Sequence, residues 1–493
     1  MKIGFDHDKY TRMQSERILE RIGEFGGKLY LELGGKLFDD YHASRVLPGF
    51  KPDSKISMLL RMKDKCELII TISANDIEKS KVRGDLGITY DADVLRLIDA
   101  FRGIGMLVTG VVLTRFSGQQ SAGAFQKRLE GLGVRVWRHY PIEGYPYDVE
   151  KIVSPEGFGK NEFVETTRPL VLVTAPGPGS GKMAVCLSQL YQENQRGVQA
   201  GYAKFETFPI WNLPLKHPVN MAYEAATADI ADVNMIDHFH LEAYGETTVN
   251  YNRDIEIFPV LSALFVRIMG RSPYRSPTDM GVNMVGFCIT DDEVCREASA
   301  QEVIRRYYNA RCGLLQGISA PSEAEKLRLL MRQMNLKDCD RPVIGAARKR
   351  EEETKAPVMA IALEDGRIIT GKTSSLLGPS AAALLNAVKA LADIPKAVHL
   401  ISPEVIRPIQ ELKCTYLGNH NPRLHSDEVL LALSISAAND PNAAKAMAAL
   451  PQLKDTEAHS TVILPHIDDD IYRRLGIRVT QDPQYQVKKL YHG

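Results

Sequence analysis

The sequence lacks the features that define several common classes of protein. Its formal net charge is zero, which argues against a strong nucleic-acid binder or a protein held on anionic membranes. No apolar run approaches the roughly 20 residues that span a bilayer, and residues 1–8 contain no signal-peptide core. We therefore expect a cytoplasmic globular protein without nucleic-acid or membrane partners.

Disulfide and zinc-finger patterns are also absent from the sequence. The seven cysteines are scattered and odd in number, and no CxxC pair occurs among them. Such usage is typical of reduced thiols in the cytoplasm. Apolar residues make up 44% of the chain, which is enough to build sizeable cores.

A glycine-rich loop is the most informative stretch that is present. Residues 170–173 predict a buried strand, residues 183–191 predict a helix, and Pro-Gly-Pro-Gly-Ser-Gly-Lys lies between them. The first N–H groups of a helix have no partner within the helix, and the helix dipole adds positive potential there. We predict a phosphate site whose residues are Gly177, Gly179, Ser180, Gly181 and Lys182.

This loop departs from the usual magnesium–nucleotide loop at two positions. Pro176 takes the place of the first glycine, and Met183 replaces the hydroxyl residue that binds magnesium. The sequence also offers no downstream apolar strand ending in an aspartate as a second magnesium site. An ordinary magnesium–ATP loop is therefore not predicted, and a plain strand-to-helix turn with a solvent-facing lysine stays the alternative.

A second glycine–lysine turn follows another predicted strand. Gly34, Gly35 and Lys36 come directly after the strand 28–33. Other polar residues also follow predicted strands, namely Asn75, Asp76 and Arg115. Because ligands bind at the carboxyl ends of strands in a parallel sheet, we expect both turns and these residues to converge on one crevice.

Strands and helices alternate along the amino-terminal part, which is typical of an α/β fold with a mainly parallel, Rossmann-like sheet. We predict a phosphate- or nucleotide-binding domain over 1–219, a mostly helical domain over 220–345 and a smaller carboxy-terminal α/β domain over 346–493. In the last domain, Asp365-Gly366 predicts a hairpin turn. Further strands are predicted at 399–402 and 461–465.

A polar cluster at Asp237, His238, His240 and Glu242 could bind a divalent metal. On a strand, positions 238, 240 and 242 would share one face, whereas on a helix they would not. The spacing matches no established zinc signature, so the polar start of a helix is the favoured interpretation. Asp237, His238 and His240 stay as candidate metal ligands.

Four strings of residues resemble one bacterial family of about this length, known as domain of unknown function 1846. They lie at 31–40 (LELGGKLFDD), 174–182 (TAPGPGSGK), 217–227 (HPVNMAYEAAT) and 459–464 (HSTVIL). The resemblance implies a Rossmann-like amino-terminal part, a helical insert and a carboxy-terminal part similar to deaminase-like folds. It also implies a metal-dependent phosphotransferase, with a redox link. The HxE and CxxC motifs of true deaminases are absent, so base deamination is not predicted.

We expect an enzyme that binds a nucleotide or phosphorylated small molecule with Mg²⁺ or Mn²⁺ and transfers or hydrolyses a phosphoryl group. Lys36 would neutralise a second phosphate, while Asp76, Asp91 or Glu224 would hold metal or act as the base. Two alternatives stay open: a nucleotide-dependent redox or lyase enzyme, and a non-catalytic ligand-sensing or assembly protein. The helical middle region predicts a homo-oligomer.

Overall fold

The computed structural model describes residues 2–35, 37–38, 40–83, 86–230 and 232–486. These residues form two compact units. The amino-terminal unit consists of residues 2–224 and 232–299, and the carboxy-terminal unit of residues 225–230 and 300–486. The predicted helical region 220–345 is divided between these units, so the compact units differ from the three predicted segments.

The amino-terminal unit carries most of the strands. They are β1 Leu29–Leu33, β2 Cys66–Ser73, β3 Val82–Arg83, β4 Ile88–Thr89, β5 Leu107–Thr114, β6 Val136–Arg138, β7 Leu170–Thr174, β8 Gly201–Phe205, β9 Asn234–Ile236, β10 Val249–Tyr251 and β11 Gly281–Val282. The α-helices that lie wholly or mostly in it are α1 His7–Glu24, α2 Tyr41–Val46, α3 Ser54–Arg61, α4 Ala74–Glu78, α5 Tyr90–Gly103, α6 Gln120–Gly131, α7 Val149–Ile152, α8 Lys182–Gln195, α9 Pro218–Ala226, α10 His238–Tyr244, α11 Asn252–Met269 and α12 Pro277–Met280.

Seven of these strands form one parallel sheet in the order β11-β8-β1-β7-β2-β5-β6. The strands β1, β2, β7 and β8 are buried at every position. Their runs of Leu, Ile and Val suit a sheet covered by helices on both faces. The predicted α/β class with a mainly parallel sheet is confirmed.

The connections of this sheet reverse direction between β1 and β7. The chain passes from β1 to β2 on one side, and from β7 to β8 on the other side of β1. β1 and β7 are hydrogen-bonded neighbours, and the connections that follow them lead toward opposite edges of the sheet. Such a reversal opens a crevice where open α/β sheets bind their ligands.

The carboxy-terminal unit contains a smaller sheet with helices, which confirms the predicted smaller α/β part, and the structure shows that this sheet is mixed. Its strands are β12 Val358–Ala362, β13 Ile368–Lys372, β14 Glu457–Ser460 and β15 Arg478–Gln481, in the order β13-β12-β14-β15. Strand β12 is antiparallel to β13 and β14, and β14 is parallel to β15. The α-helices that lie mostly in it are α13 Asp292–Leu315, α14 Pro321–Gln333, α15 Pro342–Thr354, α16 Pro379–Leu391, α17 Pro403–Glu411, α18 Ser426–Ala437, α19 Pro441–Ala448 and α20 His466–Arg474.

The hairpin predicted at Asp365-Gly366 joins β12 and β13, and Gly366 has the positive φ of 86° that such a turn requires. The strands predicted at 399–402 and 461–465 are wrong, because the structure has no strand at those positions. Their apolar residues fill the core of this unit from irregular segments instead. Among the described residues, no helix is both long and apolar enough to cross a bilayer.

Candidate phosphate site at the carboxyl edge of the sheet

The glycine-rich loop connects β7 to α8, as predicted. Gly181 is the N-cap of α8 with a φ of 87°, and no side chain caps this helix. The N–H groups of residues 182–184 therefore have no acceptor within the helix. Lys182 is the first helical residue and is partly exposed. The helix dipole, the free N–H groups and the Lys182 ammonium group together provide the positive potential that attracts an anion.

The loop is held in one shape by contacts from its neighbours. The Ser180 hydroxyl donates to the Gly177 carbonyl at 2.9 Å, and the Thr114 hydroxyl at the end of β5 donates to the Ser180 carbonyl at 2.8 Å. Tyr90 lies so close to Gly177 that a β-carbon there would be 2.2 Å from its hydroxyl oxygen. The buried Ser180 side chain therefore organises the loop, and from the described loop 177–182 itself the backbone and the Lys182 side chain remain for a ligand.

A buried lysine, Lys55, lies beside the turn after β1, and it was not among the residues predicted from the sequence. Gly34 donates its N–H to the Phe205 carbonyl at 3.2 Å, and Gly35 has a φ of 66°. Lys36 lies outside the described residues. Lys55 of α3 is buried, donates to the Gly34 carbonyl at 3.2 Å and lies 3.1 Å from the Asp40 carboxylate. Although burial opposes the effect, Lys55 lowers the pKa of Asp40.

Two of the predicted residues after β2 and β5, Asn75 and Arg115, share a hydrogen-bond partner, Gln119. The Gln119 amide donates to the Asn75 side-chain oxygen at 2.8 Å and to the Arg115 carbonyl at 3.0 Å. Asp76 lies in the first turn of α4, with its carboxylate 3.6 Å from the Lys81 ammonium. Gln119 thus links the carboxyl ends of the neighbouring strands β2 and β5, and convergence with the two glycine–lysine turns stays a prediction.

The other two candidate catalytic carboxylates are placed differently. Asp91 lies in the first turn of α5, next to Tyr90, which covers the glycine-rich loop. Glu224 of α9 instead accepts a hydrogen bond from the Asn234 N–H at 3.0 Å and so anchors β9. The structure therefore assigns Glu224 a structural contact, while Asp91 stays beside the loop.

The polar cluster at Asp237 is the start of α10. Asp237 is its N-cap, and its carboxylate accepts from the His240 N–H and from both the N–H and the hydroxyl of Thr278. His238 is exposed, whereas the buried His240 lies 2.8 Å from the Ser276 hydroxyl. No group of three His, Cys, Asp or Glu side chains in the described ranges could hold a metal ion. The structure gives no support for a metal site at Asp237, His238 and His240. These residues instead form the polar start of helix α10.

A buried group of charges at the carboxyl end of β8 was missed from the sequence. The Lys204 ammonium donates to the Tyr251 hydroxyl and the Asp254 carboxylate, and it lies 2.9 Å from a Glu206 oxygen. Burial raises the pKa of Glu206 to about 7, with Lys204 opposing the shift and Asp254 adding to it. The available signal was Lys-Phe-Glu at the end of an otherwise apolar strand.

Comparison with known proteins covers almost the whole chain. A family model described as domain of unknown function DUF1846, N-terminal, matches residues 3–335, and its C-terminal counterpart matches residues 339–491. A UPF0371 protein of Corynebacterium aurimucosum is 60% identical over 487 residues, which are 99% of this chain and 98% of the relative. A UPF0371 protein of Streptococcus pneumoniae strain TIGR4 is 57% identical over 490 residues, which are 99% of each chain.

Proposed function

The chain belongs to the DUF1846 family, and from this premise we propose that it is an enzyme that binds a nucleotide or phosphorylated small molecule and transfers or hydrolyses its phosphoryl group. The observation that carries this proposal is the shaped glycine-rich loop at the reversal point between β1 and β7. In such sheets this crevice is where ligands bind.

The chemistry of phosphoryl transfer matches what these residues offer. The reaction depends mostly on positioning the phosphate and on stabilising its negative charge. Backbone N–H groups at the start of α8 and the Lys182 ammonium would hold one phosphate. At the neighbouring turn after β1 the buried Lys55 is paired with Asp40, so the positive charge for the phosphate comes from Lys182 and the start of α8.

The described residues do not form a site for the metal that the family resemblance implies. Met183 stands where a magnesium-binding hydroxyl would be, and Asp76 faces Lys81. We therefore derive no step through a metal, and Mg²⁺ or Mn²⁺ enters only as an assay condition. A cytoplasmic location remains a prediction. The homo-oligomer also remains a prediction, and light scattering that shows only monomer would contradict it.

Inorganic pyrophosphate or a nucleotide should raise the thermal unfolding temperature of this protein. A ligand at 100 times its dissociation constant stabilises by about 2.7 kcal/mol. In Lys182→Ala the shift should shrink strongly, because the full positive charge at the start of α8 is removed. The exposed Lys127 on α6 is the control, and Lys127→Ala should keep the whole shift.

Two outcomes of the unfolding experiment would contradict this prediction. If no phosphate-bearing ligand shifts the wild type, with or without Mg²⁺ or Mn²⁺, the loop is only a strand-to-helix turn. If Lys182→Ala and Lys127→Ala respond equally, the ligand binds elsewhere. Phosphate release measured in parallel separates an enzyme from a protein that senses the ligand without turnover.

Alanine at Gly181 should abolish phosphate binding, whereas alanine at Gly197 should not. Both glycines have positive φ, 87° at the start and 72° just after the end of α8, so each substitution costs roughly 1–3 kcal/mol of backbone strain. Only at Gly181 would the new β-carbon contact Thr114, at 3.0 Å, and push the loop away. The unfolding shift with pyrophosphate measures the difference; equal loss of binding in both variants would contradict a local role.

A further inference from the structure

One hydroxyl group beside the glycine-rich loop has no hydrogen-bond partner among the described residues. The hydroxyls of Ser180 and Thr114 donate to the carbonyls of Gly177 and Ser180, so both are used to shape the loop. The Tyr90 hydroxyl lies against Gly177, where a β-carbon would be 2.2 Å from its oxygen, and it makes no hydrogen bond within the described structure. Unlike the other two hydroxyls, it is therefore available to a ligand.

The side chain that carries this hydroxyl is almost completely buried. Tyr90 is 5% exposed and belongs to the apolar core of the amino-terminal unit. Packing explains the ring, whose place a phenylalanine would fill equally well, but packing does not explain the hydroxyl. Buried tyrosine hydroxyls usually have a hydrogen-bond partner, because an unpaired one costs free energy. The hydroxyl of Tyr90 thus has a donor to spare at the loop where we place a phosphate.

Neighbouring elements fix the position of Tyr90. It is the first residue of α5, and its N–H donates to the Lys81 carbonyl at 2.9 Å. The Lys81 ammonium lies 4.9 Å from the centroid of the Tyr90 ring and 3.6 Å from the Asp76 carboxylate. The ring therefore has Lys81 over its face and Gly177 at its hydroxyl end. A donor that is already held in place does not have to be ordered when a ligand binds.

Two short contacts connect Tyr90 with the start of α8. Tyr90 contacts Gly177, and the Gly177 carbonyl accepts the hydrogen bond of the Ser180 hydroxyl at 2.9 Å, so the loop folds back on itself. Ser180 directly precedes Gly181, the N-cap of α8. A phosphate group that accepts hydrogen bonds of about 2.8 Å on two sides joins donors roughly 5–8 Å apart. The folded loop therefore brings the phenol and the free N–H groups of α8 to the same ligand.

We propose that the Tyr90 hydroxyl is a binding group of the phosphate site and donates a hydrogen bond to a phosphate oxygen held at the start of α8. This inference rests on the proposed function. The phosphate is then bound from two sides, by the backbone N–H groups and Lys182 of α8 and by the phenol of α5. Hydrogen bonds to a charged acceptor contribute more than those between neutral groups, so this contact has a measurable effect on affinity.

Tyr90→Phe tests this role, because it removes the hydroxyl and keeps the ring. Titration calorimetry with inorganic pyrophosphate should show binding about 10-fold weaker than in the wild type. In urea unfolding without ligand, the variant should be as stable as the wild type, since the hydroxyl has no partner to lose in the described structure. A purely structural role of the hydroxyl predicts the reverse, with lower stability and unchanged affinity.

Tyr191→Phe is the matched control. Tyr191 is 8% exposed and packs against Phe158, and its hydroxyl also makes no hydrogen bond with the described residues. It lies on the same helix as Lys182, but about 13 Å further along the helix axis. This variant should bind pyrophosphate as tightly as the wild type.

The outcomes separate the two proposals. If pyrophosphate binds none of the three proteins, the proposed function fails. If it binds the wild type and Tyr90→Phe with equal affinity, the phosphate site stands and the role of Tyr90 is overturned. Equal weakening in Tyr90→Phe and Tyr191→Phe would also overturn that role, because the effect would not be local to the loop.

Discussion

Lys204→Met is expected to destabilise the amino-terminal unit by about 3–5 kcal/mol near neutral pH, the usual cost of removing one partner from a buried ion pair. The substitution leaves Glu206 and Asp254 buried together without their cation. Burial raises the pKa of Glu206, and the variant loses the Lys204 charge that opposes this shift, so Glu206 holds its proton more tightly in the folded than in the unfolded state. Because the folded state binds more protons, stability falls as pH rises, and the loss should be largest above pH ~7.

Urea unfolding at several pH values measures this effect. Lys127→Met, at an exposed position, should change the free energy of unfolding by no more than about 0.5 kcal/mol. Adding Asp254→Asn to Lys204→Met should restore part of the loss, since one of the two orphaned charges disappears. A loss in Lys204→Met that is small at every pH would show that the ion pairs contribute little.

Arg341→Met should cost a similar amount, about 3–5 kcal/mol, in the carboxy-terminal unit. The guanidinium is 1% exposed and pairs with Glu457. It also donates to the Thr480 hydroxyl at 3.1 Å and to the Arg478 carbonyl at 2.7 Å. Methionine fills much of the space but removes the donor to these two acceptors and leaves Glu457 with only the more distant Arg478, at 3.7 Å, among the described cations.

The control for Arg341 lies in the helix that follows it. Arg350 of α15 is exposed and pairs only with Glu353 along the same helix surface in the described structure. Such exposed pairs contribute roughly 0–1 kcal/mol, so Arg350→Met should be close to neutral. Urea unfolding followed by circular dichroism compares the two variants; equal losses would argue against a special role for the buried guanidinium.

Local sequence patterns were sufficient to predict the positions of strands in the main sheet. The strands predicted at 28–33 and 170–173 match β1 and β7 to within a residue or two. Runs of Leu, Ile and Val bounded by glycine or charged residues produce this agreement, since buried parallel strands need apolar side chains on both faces. In the carboxy-terminal unit the same reasoning failed at 399–402, where apolar residues fill a core without pairing as a strand.

The candidate phosphate site was likewise predictable from the sequence only in part. The loop at Gly177–Lys182 is continuous in sequence, so its residues, and its place between a strand and a helix, could be derived from order alone. The roles of Ser180 and Asp237 could not, because their partners Thr114 and Thr278 come from distant parts of the chain.

The sequence by itself therefore determined the parallel sheet, the glycine-rich loop and the side of the sheet at which ligands are expected. These depend on neighbouring residues and on periodicity. Only the tertiary structure decided that β1, β7 and β8 are adjacent, and that Lys204 and Glu206 meet Asp254, 50 residues from Lys204. Packing of the chain sets such distances, and burial then sets the charge and proton affinity of the groups involved.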